Sequence, residues 1–188
     1  MYTSTRRVWQ RNPSTRGIVH DYNQIKQDMT FQELVYARHS VRRFTDEPVP
    51  REIIDTMIAE AQSAPSSKNC KSSAFMIVEE PDTISAISEM RSSGSAFVKD
   101  AKAVIIVLAD EEKGKDMWIE NAAISATYLH LAAAAHGLGS CWVQVRNRNR
   151  DKSPDSESAE DYLREILGIK DNFRVLCVLA IGYEAKSI

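Results

Sequence analysis

Apolar residues recur at the three- and four-residue spacing of amphipathic helices in four parts of the chain, namely 31–38, 50–65, 84–90 and 162–168. The first part follows Thr30, and a glutamate three residues after that threonine completes the pattern of a capping box. Short aliphatic and β-branched runs are instead typical of buried strands, and they occur at 75–78, 104–108, 140–145 and 175–181. The pattern therefore predicts a mixture of helices and strands.

The longest periodic segment, 118–136, differs from the other predicted helices because it is rich in small residues. Its alanines are Ala122, Ala123, Ala126 and Ala132 to Ala135. Small side chains let another helix approach closely, so we expect this helix to lie in the core or at a subunit interface. Gly137 is expected to end it as a C-cap.

Composition is that of a soluble globular protein. The chain has 188 residues, of which 43% are hydrophobic and 27% charged, enough for one sizeable core. A net charge of -2, and a basic stretch at 146–150 without interleaved aromatic residues, argue against a nucleic-acid partner. The longest apolar run, 129–135, falls short of the roughly 18 residues needed to cross a bilayer. We therefore expect a cytoplasmic protein without a membrane partner.

Cysteines and histidines give no sign of a metal site. Cys70, Cys141 and Cys177 are odd in number and lack C-x-x-C spacing, so we expect three free thiols, as suits a reducing cytoplasm. Cys141 lies in a predicted buried strand and is interpreted as an inert small hydrophobe. His130 and His136 are six residues apart, a poor spacing for metal ligands, and both are interpreted as structural.

The first 28 residues differ from the rest of the chain. They carry four arginines, have no acidic residue before Asp21 and contain no apolar signal-peptide core. Two interpretations stay open: an arm that packs on a partner subunit, which we favour, and an upstream start codon with Met29 as the natural beginning. We accordingly divide the chain into an amino-terminal extension or dimer arm, 1–28, and one folded domain, 29–188.

The segment 38–44 sets two arginines and a serine on alternate residues. If it is a strand, Arg38, Ser40 and Arg42 share one face, while His39 lies on the other and is suited to packing or a backbone hydrogen bond. Guanidinium groups and a hydroxyl are suitable donors for phosphate. Four residue steps of extended chain span about 13 Å, which fits a phosphate with a long body attached. The alternative is a solvated face whose arginines pair with the acidic residues at 46–47.

Two further segments have polar or glycine-rich patterns. Pro65-Ser66-Ser67-Lys68-Asn69 exposes hydroxyls, an amine and an amide after a predicted helix, and an amide suits the edge of a planar heterocycle. An ordinary helix-terminating turn would have the same composition. Gly137-Leu138-Gly139-Ser140-Cys141-Trp142 lies at a helix-to-strand junction. It is not a dinucleotide-binding G-x-G-x-x-G motif, because a tryptophan replaces the third glycine.

These three segments, in this order, resemble the FMN-dependent nitroreductase family from about Thr30 to Tyr183. The resemblance implies an α+β fold with a central, mostly antiparallel sheet flanked by helices, in an intertwined homodimer that binds FMN at the subunit interface. The cofactor-binding residues that it implies are Arg38, His39, Ser40, Arg42, Pro65, Ser66, Ser67, Asn69, Leu138, Gly139 and Lys186.

Within this set the resemblance implies different roles. Arg38 and Ser40 would lie at the phosphate and Arg42 at the flavin pyrimidine. Ser66 and Asn69 would meet the flavin ring, and the backbone of 138–139 would line it.

The chain departs from the family pattern at two places. After the asparagine, many family members have x-Q-P-W-x-F, whereas this chain has Cys70-Lys71-Ser72-Ser73-Ala74-Phe75. Basic residues often follow the final G-Y of the family, but here only Lys186 does.

The resemblance further implies that a hydride passes from NADH or NADPH through flavin N5 to an electron-poor small molecule such as a nitroaromatic or a quinone. No catalytic side chain is certain, since the flavin carries the chemistry. Arg42 would be the cation near flavin N1, with Lys68 or Lys71 in reserve. Two alternatives stay open: a relative that uses reduced FMN for dehalogenation or flavin fragmentation, and a flavin- or phospho-ligand-binding module without turnover.

Overall fold

A computed structural model describes residues 8–9, 29–153 and 155–185. Their strands form one sheet with the spatial order β1-β2-β3-β5-β4, in which every neighbouring pair is antiparallel. The strands are β1 Val8–Trp9, β2 Ser73–Val78, β3 Ala103–Asp110, β4 Gly139–Gln144 and β5 Phe173–Gly182. The α+β class and the antiparallel sheet flanked by helices are thereby confirmed, while the homodimer stays a prediction.

Six α-helices surround this sheet in the part of the chain that the structure describes. They are α1 Phe31–Ala37, α2 Arg51–Gln62, α3 Pro81–Ser88, α4 Glu111–Gly114, α5 Trp118–Ala135 and α6 Ala159–Leu167. Short 3₁₀ turns occur at Ser67–Asn69, Ala96–Asp100 and Lys115–Met117. None of the described helices combines the length and apolarity needed to span a membrane.

The central strand β3 separates two apolar layers. All eight of its residues are buried, because alternate side chains enter opposite faces of the sheet. Ile105 and Val107 pack with α2 and α5, whereas Val104 and Ile106 pack with α3 and α6. The continuous aliphatic sequence of β3 is therefore explained by burial of both faces of the strand.

The helix signals in the sequence agree with the observed ends. Thr30 caps α1 and forms the predicted capping box with Glu33. The helix α2 begins directly after Pro50, although it ends at Gln62 rather than at Pro65. Gly168 ends α6 in the left-handed conformation, which glycine adopts without steric cost.

The alanine-rich helix α5 lies in the core, as one of the two predicted alternatives states. Ala122, Ala126 and Ala133 are fully buried, and α5 packs against α2. Ile124 and Tyr128 of the same helix remain exposed.

Some features differ from the sequence prediction. The segment 38–44 is extended but forms only isolated bridges, at Ser40 and Phe44, rather than a full strand. The turns at 96–100 and 115–117, helix α4 and strand β1 were missed, because such short elements carry too few residues for a periodic signal. The strand β1 pairs with β2 of the same chain. The role predicted for 1–28, most of which lies outside the described residues, stays a prediction.

Candidate functional site

The segment 38–44, called the arginine segment below, is held against the ends of two strands. Val41 donates its backbone N–H to the carbonyl of Ser140 at 3.0 Å, and Thr45 donates to the carbonyl of Tyr183 at 2.9 Å. These strand ends are neighbours, since Gly139 of β4 pairs with Gly182 of β5. Backbone hydrogen bonds therefore fix the position of the arginine segment.

Two glycines make this close packing feasible. A Cβ atom on Gly139 would lie 2.8 Å from three side-chain atoms of Val41, and one on Gly182 would lie 2.9 Å from the Phe44 ring. Both distances are shorter than van der Waals contact, so a side chain at either glycine would force its neighbour to move. The predicted Gly139 thus contributes through its missing side chain, which lets the arginine segment lie directly on β4.

The predicted arginines are not paired with carboxylates. Arg51, Arg150, Arg164 and Arg174 all form ion pairs, whereas no ion pair among the described residues includes Arg38 or Arg42. The alternative of a solvated pair with the acidic residues at 46–47 is not supported, because Asp46 instead bonds Lys102 at 2.9 Å.

The side chains of the arginine segment differ in burial. Val41 is buried, whereas Ser40 and Arg42 are exposed and Arg38 is half-buried. The Arg42 guanidinium lies 5.9 Å from the centre of the Phe97 ring, within the range of a cation–π contact. The segment therefore presents two guanidinium groups without ion-pair partners among the described residues, together with the Ser40 hydroxyl, which is a hydrogen-bond partner of the Cys141 thiol.

His39 is anchored away from these groups. Its Nδ1 donates to the carbonyl of Ala37 at 2.9 Å, and its Nε2 lies 3.0 Å from a carboxylate oxygen of Glu184. These bonds raise the pKa of His39, the backbone bond first and the Glu184 carboxylate second. This arrangement agrees with the expected backbone hydrogen bond and links His39 to Glu184, which follows the end of β5.

A second histidine lies beneath the arginine segment. His130 of α5 is buried, its Nδ1 is 2.7 Å from the hydroxyl of Ser140, and its ring stacks on Trp142 with centroids 6.3 Å apart. Burial, and secondarily the nearby Arg38 charge, lower its pKa to about 4. His130 is therefore neutral at physiological pH and adds no repulsion to the two arginines.

Leu138 lies in the turn that leads from α5 into β4. Leu138 donates its backbone N–H to the Ala133 carbonyl at 2.8 Å and Gly137 donates to the Ala134 carbonyl at 3.1 Å, the two bonds of a Schellman motif. Gly137 has a φ of 74°, as that motif requires. The predicted C-cap is thus confirmed, and it places Leu138 and Gly139 beside the arginine segment.

The third motif forms the loop 64–71, called the serine loop below. Three of its non-glycine residues have positive φ angles, namely Lys68 (50°), Asn69 (55°) and Lys71 (48°). Such backbone strain persists only where surrounding contacts impose it. Ser66 is half-buried and its hydroxyl accepts the backbone N–H of Lys71 at 2.9 Å.

Other predicted members of the serine loop face outward. Pro65 and Asn69 are exposed, and the Asn69 amide makes none of the hydrogen bonds found between described residues. Ser67 is half-buried and uses its backbone N–H, not its hydroxyl, as the donor to the core. The Asn69 amide is thus available to a planar heterocycle.

Asn121 holds the serine loop in place, and the sequence analysis missed it. This residue is 1% exposed; its Oδ1 accepts the Ser67 N–H at 2.8 Å, and its Nδ2 donates to Ser72 at 3.1 Å and to the Cys70 sulfur at 3.4 Å. An asparagine inside an apolar, alanine-rich helix was the signal that could have revealed it.

The structure brings two of the three motifs together. The arginine segment touches 138–140 directly, whereas no hydrogen bond among the described residues links it to the serine loop. The two regions meet α5 at His130 and Asn121, nine residues or about 13 Å apart along the helix axis. Lys186, the eleventh predicted residue, lies outside the described residues.

The described residues were also compared with the requirements of a metal site and of a reactive thiol. They include no group of three metal-ligating side chains that could hold a metal ion. Burial raises the pKa of the Cys141 thiol, against smaller opposing effects of Arg42 and Ser40, and it raises that of Cys177 strongly. These two thiols are protonated and unsuited to nucleophilic chemistry.

Two comparisons link this geometry to known proteins. An FMN-dependent nitroreductase from Clostridium difficile R20291 is 38% identical, with a TM-score of 0.77, over 82% of this chain and 88% of that one. A relative from Archaeoglobus fulgidus named "Putative NADH dehydrogenase/NAD(P)H nitroreductase" is 31% identical over 154 residues, which are 80% of this chain and 83% of the relative.

A third relative has a different named activity. Human iodotyrosine deiodinase 1 is 26% identical over 193 aligned residues, covering 86% of this chain and 64% of the human protein. Residues 35–95 and 89–183 match the model of the nitroreductase family. Since these matches cover most of the chain, and the three motifs occur in the predicted order, the chain belongs to the nitroreductase family.

Proposed function

We propose that this chain is an FMN-dependent oxidoreductase that transfers a hydride from NADH or NADPH to an electron-poor small molecule, such as a nitroaromatic or a quinone. The observation that carries the proposal is the pair Arg38 and Arg42, which have no carboxylate partner among the described residues and lie on a segment packed against Gly139. FMN supplies, when bound, hydride acceptance from the nicotinamide and hydride donation to the acceptor at one nitrogen, N5.

The residues of this chain fit the cofactor by their donor chemistry. Arg38 and Ser40 offer charged and neutral donors to the phosphate, and the half-burial of Arg38 strengthens such a contact. Arg42, four residues farther along, is separated from Arg38 by about 13 Å of extended chain. That separation suits a ligand whose anionic group and ring are joined by a linear spacer.

Arg42 has the electrostatic role in this proposal. Its cation, beside the Phe97 ring, favours negative charge on the adjacent pyrimidine edge of a bound flavin. No neighbouring carboxylate of the described residues neutralises that charge. Arg42 therefore favours the reduced form of the cofactor over the oxidised form.

The serine loop has the orienting role. Ser66 and Asn69 provide a hydroxyl and an exposed amide for the ring, and Asn121 keeps the loop backbone in its strained conformation. The Leu138 side chain is buried in the core and Gly139 packs against Val41, so the backbone of 138–139 would line the ring beside the arginine segment. A planar ring would be held between these elements where the serine loop of one copy meets 138–139 of another.

We also propose that the active form is a homodimer. The helix α1 has no buried residue, and its Phe31 and Tyr36 side chains are 74% and 79% exposed. Ile124 and Tyr128 of α5, on which α1 packs, are exposed as well. Such an apolar surface fits a second copy of the chain. A second copy could also supply the serine loop to the arginine segment, which one chain keeps apart.

The test is the visible absorption of the purified protein, followed by anaerobic addition of NADH or NADPH. We expect a flavin spectrum that bleaches with one of the two nicotinamides and returns when a quinone or nitroaromatic is added. A colourless protein that does not bind added FMN would contradict the proposal. Bound flavin that neither nucleotide bleaches would instead favour a binding module without turnover.

A second candidate function is reductive dehalogenation, which the similarity to human iodotyrosine deiodinase 1 favours. Product analysis separates the two functions. Release of halide from a halogenated phenol by the reduced protein, without reduction of nitroaromatics or quinones, would replace the first proposal by the second.

A further inference from the structure

A polar cleft of about 410 Å³ lies where β4 ends, within the range of about 300–1,000 Å³ that is typical of small-molecule sites. Its lining comes from the loop after β4, the first turns of α6 and the start of β5, and it includes Asn147, Arg148, Ser158, Glu160, Asp161 and Arg174. None of its lining residues belongs to the arginine segment, the serine loop or 138–139. Six steps of extended chain, about 20 Å, separate Gly139 from Val145 in this lining, so the cleft is distinct from the site proposed for FMN.

One pair of charges in the cleft is already satisfied. Arg174 donates to both carboxylate oxygens of Glu160, from Nε at 2.9 Å and from Nη2 at 3.2 Å. Glu160 also accepts the backbone N–H of Val175 at 3.0 Å. The loop is tied to α6 as well, since Ala159 donates its N–H to the Arg148 carbonyl at 2.8 Å. These bonds fix the walls of the cleft, and neither charge of the pair needs a ligand.

The positive charge of Arg148 is not matched. Arg148 is exposed, its Nη1 donates to the neutral carbonyl of Asn147 at 3.2 Å, and no ion pair in the described part of the chain includes it. Arg91 lies nearby and is likewise without an ion pair there; its Nη1 donates to the Gln144 carbonyl at 3.3 Å. Burial first, and the Arg148 charge second, lower the pKa of Arg91. An anion bound at Arg148 would relieve this repulsion.

Two other groups in the cleft suit hydroxyls rather than a second anion. The Asp161 side chain is exposed; its Oδ2 accepts the Ser158 hydroxyl at 2.6 Å, and its Oδ1 accepts no bond from the described residues. The side-chain amide of Asn147 is not bonded to any of them either. A carboxylate accepts hydrogen bonds and an amide both donates and accepts, whereas the Asp161 charge disfavours a ligand that is anionic throughout.

We propose that this cleft binds a sugar phosphate. Arg148 holds the phosphate, because a guanidinium group offers paired donors to it, and Asn147 and Asp161 bond hydroxyls of the neutral body. Phosphate is favoured over carboxylate, because the unmatched charges of Arg91 and Arg148 complement the roughly −1.5 to −2 of a phosphate monoester at pH 7. The basic stretch 146–150 thereby acquires a small-molecule ligand instead of a nucleic acid.

The experiment follows backbone amide shifts of the ¹⁵N-labelled full chain at Asn147, Ser158 and Glu160 while ribose 5-phosphate is added. Ribose and inorganic phosphate, which are the two halves of this probe, are the ligand controls. We expect the sugar phosphate to shift these amides and to bind about tenfold more tightly than either half. Equal binding of either half, or no shift at these amides, would overturn the proposal. Shifts confined to Ser40 and Val41 would also contradict it, since they would place the ligand at the arginine segment.

Matched variants test the residues. Arg148→Gln should weaken ribose 5-phosphate binding about tenfold by removing the cation. Asn147→Gly should weaken it about threefold, because glycine keeps the backbone φ of 57° and removes only the amide. Lys152→Gln is the control, because it removes a positive charge from an exposed position of the same loop that does not line the cleft.

An equal loss of affinity in Lys152→Gln and Arg148→Gln would contradict the assignment, since it would report net charge alone. The comparison of the three ligands needs no variant, so it stands if a variant misfolds. No readout depends on flavin, so the cleft can be tested whether or not the protein binds FMN.

Discussion

The arginine segment and the serine loop are positioned by different means. Backbone hydrogen bonds and contacts at two glycines hold the arginine segment, so its position does not depend on ion pairs of Arg38 or Arg42. One buried side chain, Asn121, bonds the serine loop at Ser67 and Cys70, and it bonds Ser72 directly after the loop, while the loop backbone has positive φ angles. Changes to the Arg38 and Arg42 side chains should therefore leave the fold intact, whereas the conformation of the serine loop depends on Asn121, which is 1% exposed.

The largest effect on stability is expected from Asn121→Ala. This change leaves the Ser67 N–H and the Ser72 hydroxyl without their partner and should lower the free energy of unfolding by about 2–4 kcal/mol. Chemical denaturation measures the loss, and amide hydrogen exchange at Ser67 should become faster. Asn69→Ala is the matched control, because it removes the same side chain from an exposed position of the loop. It should change stability by less than about 0.5 kcal/mol. Similar losses in both variants would contradict the difference between the two asparagines.

A smaller loss, of about 1–3 kcal/mol, is expected from Gly139→Ala, because the new Cβ would meet Val41 at 2.8 Å. The arginine segment must then shift away from β4, so FMN affinity should fall as well, which a flavin titration measures. Adding Val41→Gly removes all three contacting atoms and should restore part of the affinity. Unchanged FMN binding in Gly139→Ala would show that the position of the segment is not set by this contact.

Sequence patterns predicted the features that depend on neighbouring residues. The capping box of Thr30 and Glu33 and the end of α5 at Gly137 are local, and the structure agrees with both. The hydrogen-bond partners of Asn121 could not be found in this way. They are Ser67, Cys70 and Ser72, about fifty residues earlier in the chain, and no spacing along the sequence encodes their contact with α5.

The pH dependence of stability should include a contribution from His130. Its pKa of about 4 in the folded protein lies below the ordinary value of 6.5, so between these values the unfolded chain binds a proton that the folded chain does not. The free energy of unfolding should therefore fall as pH drops from 6.5 to 4, by roughly 1–3 kcal/mol from this residue.

Denaturation at several pH values tests the contribution of His130, with His130→Gln as the reference. The other histidines and the carboxylates titrate in both proteins, so only the difference between the two curves reports His130. Parallel curves over this range would exclude a depressed pKa for His130.

The smallest effect on stability, less than about 0.5 kcal/mol, is expected from Arg42→Ala, because the exposed guanidinium has no ion-pair partner among the described residues to lose. The chemistry should nevertheless change: removal of a cation that favours the reduced flavin should slow reduction by NAD(P)H more than it weakens FMN binding. Arg42→Lys keeps the charge and should retain most of the rate.

Arg38→Ala should show the opposite order, with FMN binding weakened more than reduction is slowed, because Arg38 is assigned to the phosphate. Stopped-flow reduction and flavin titration of the three variants measure both quantities. Equal losses of rate and affinity in Arg42→Ala and Arg38→Ala would mean that the two arginines act on one group, and the division of the segment into a phosphate end and a ring end would be wrong.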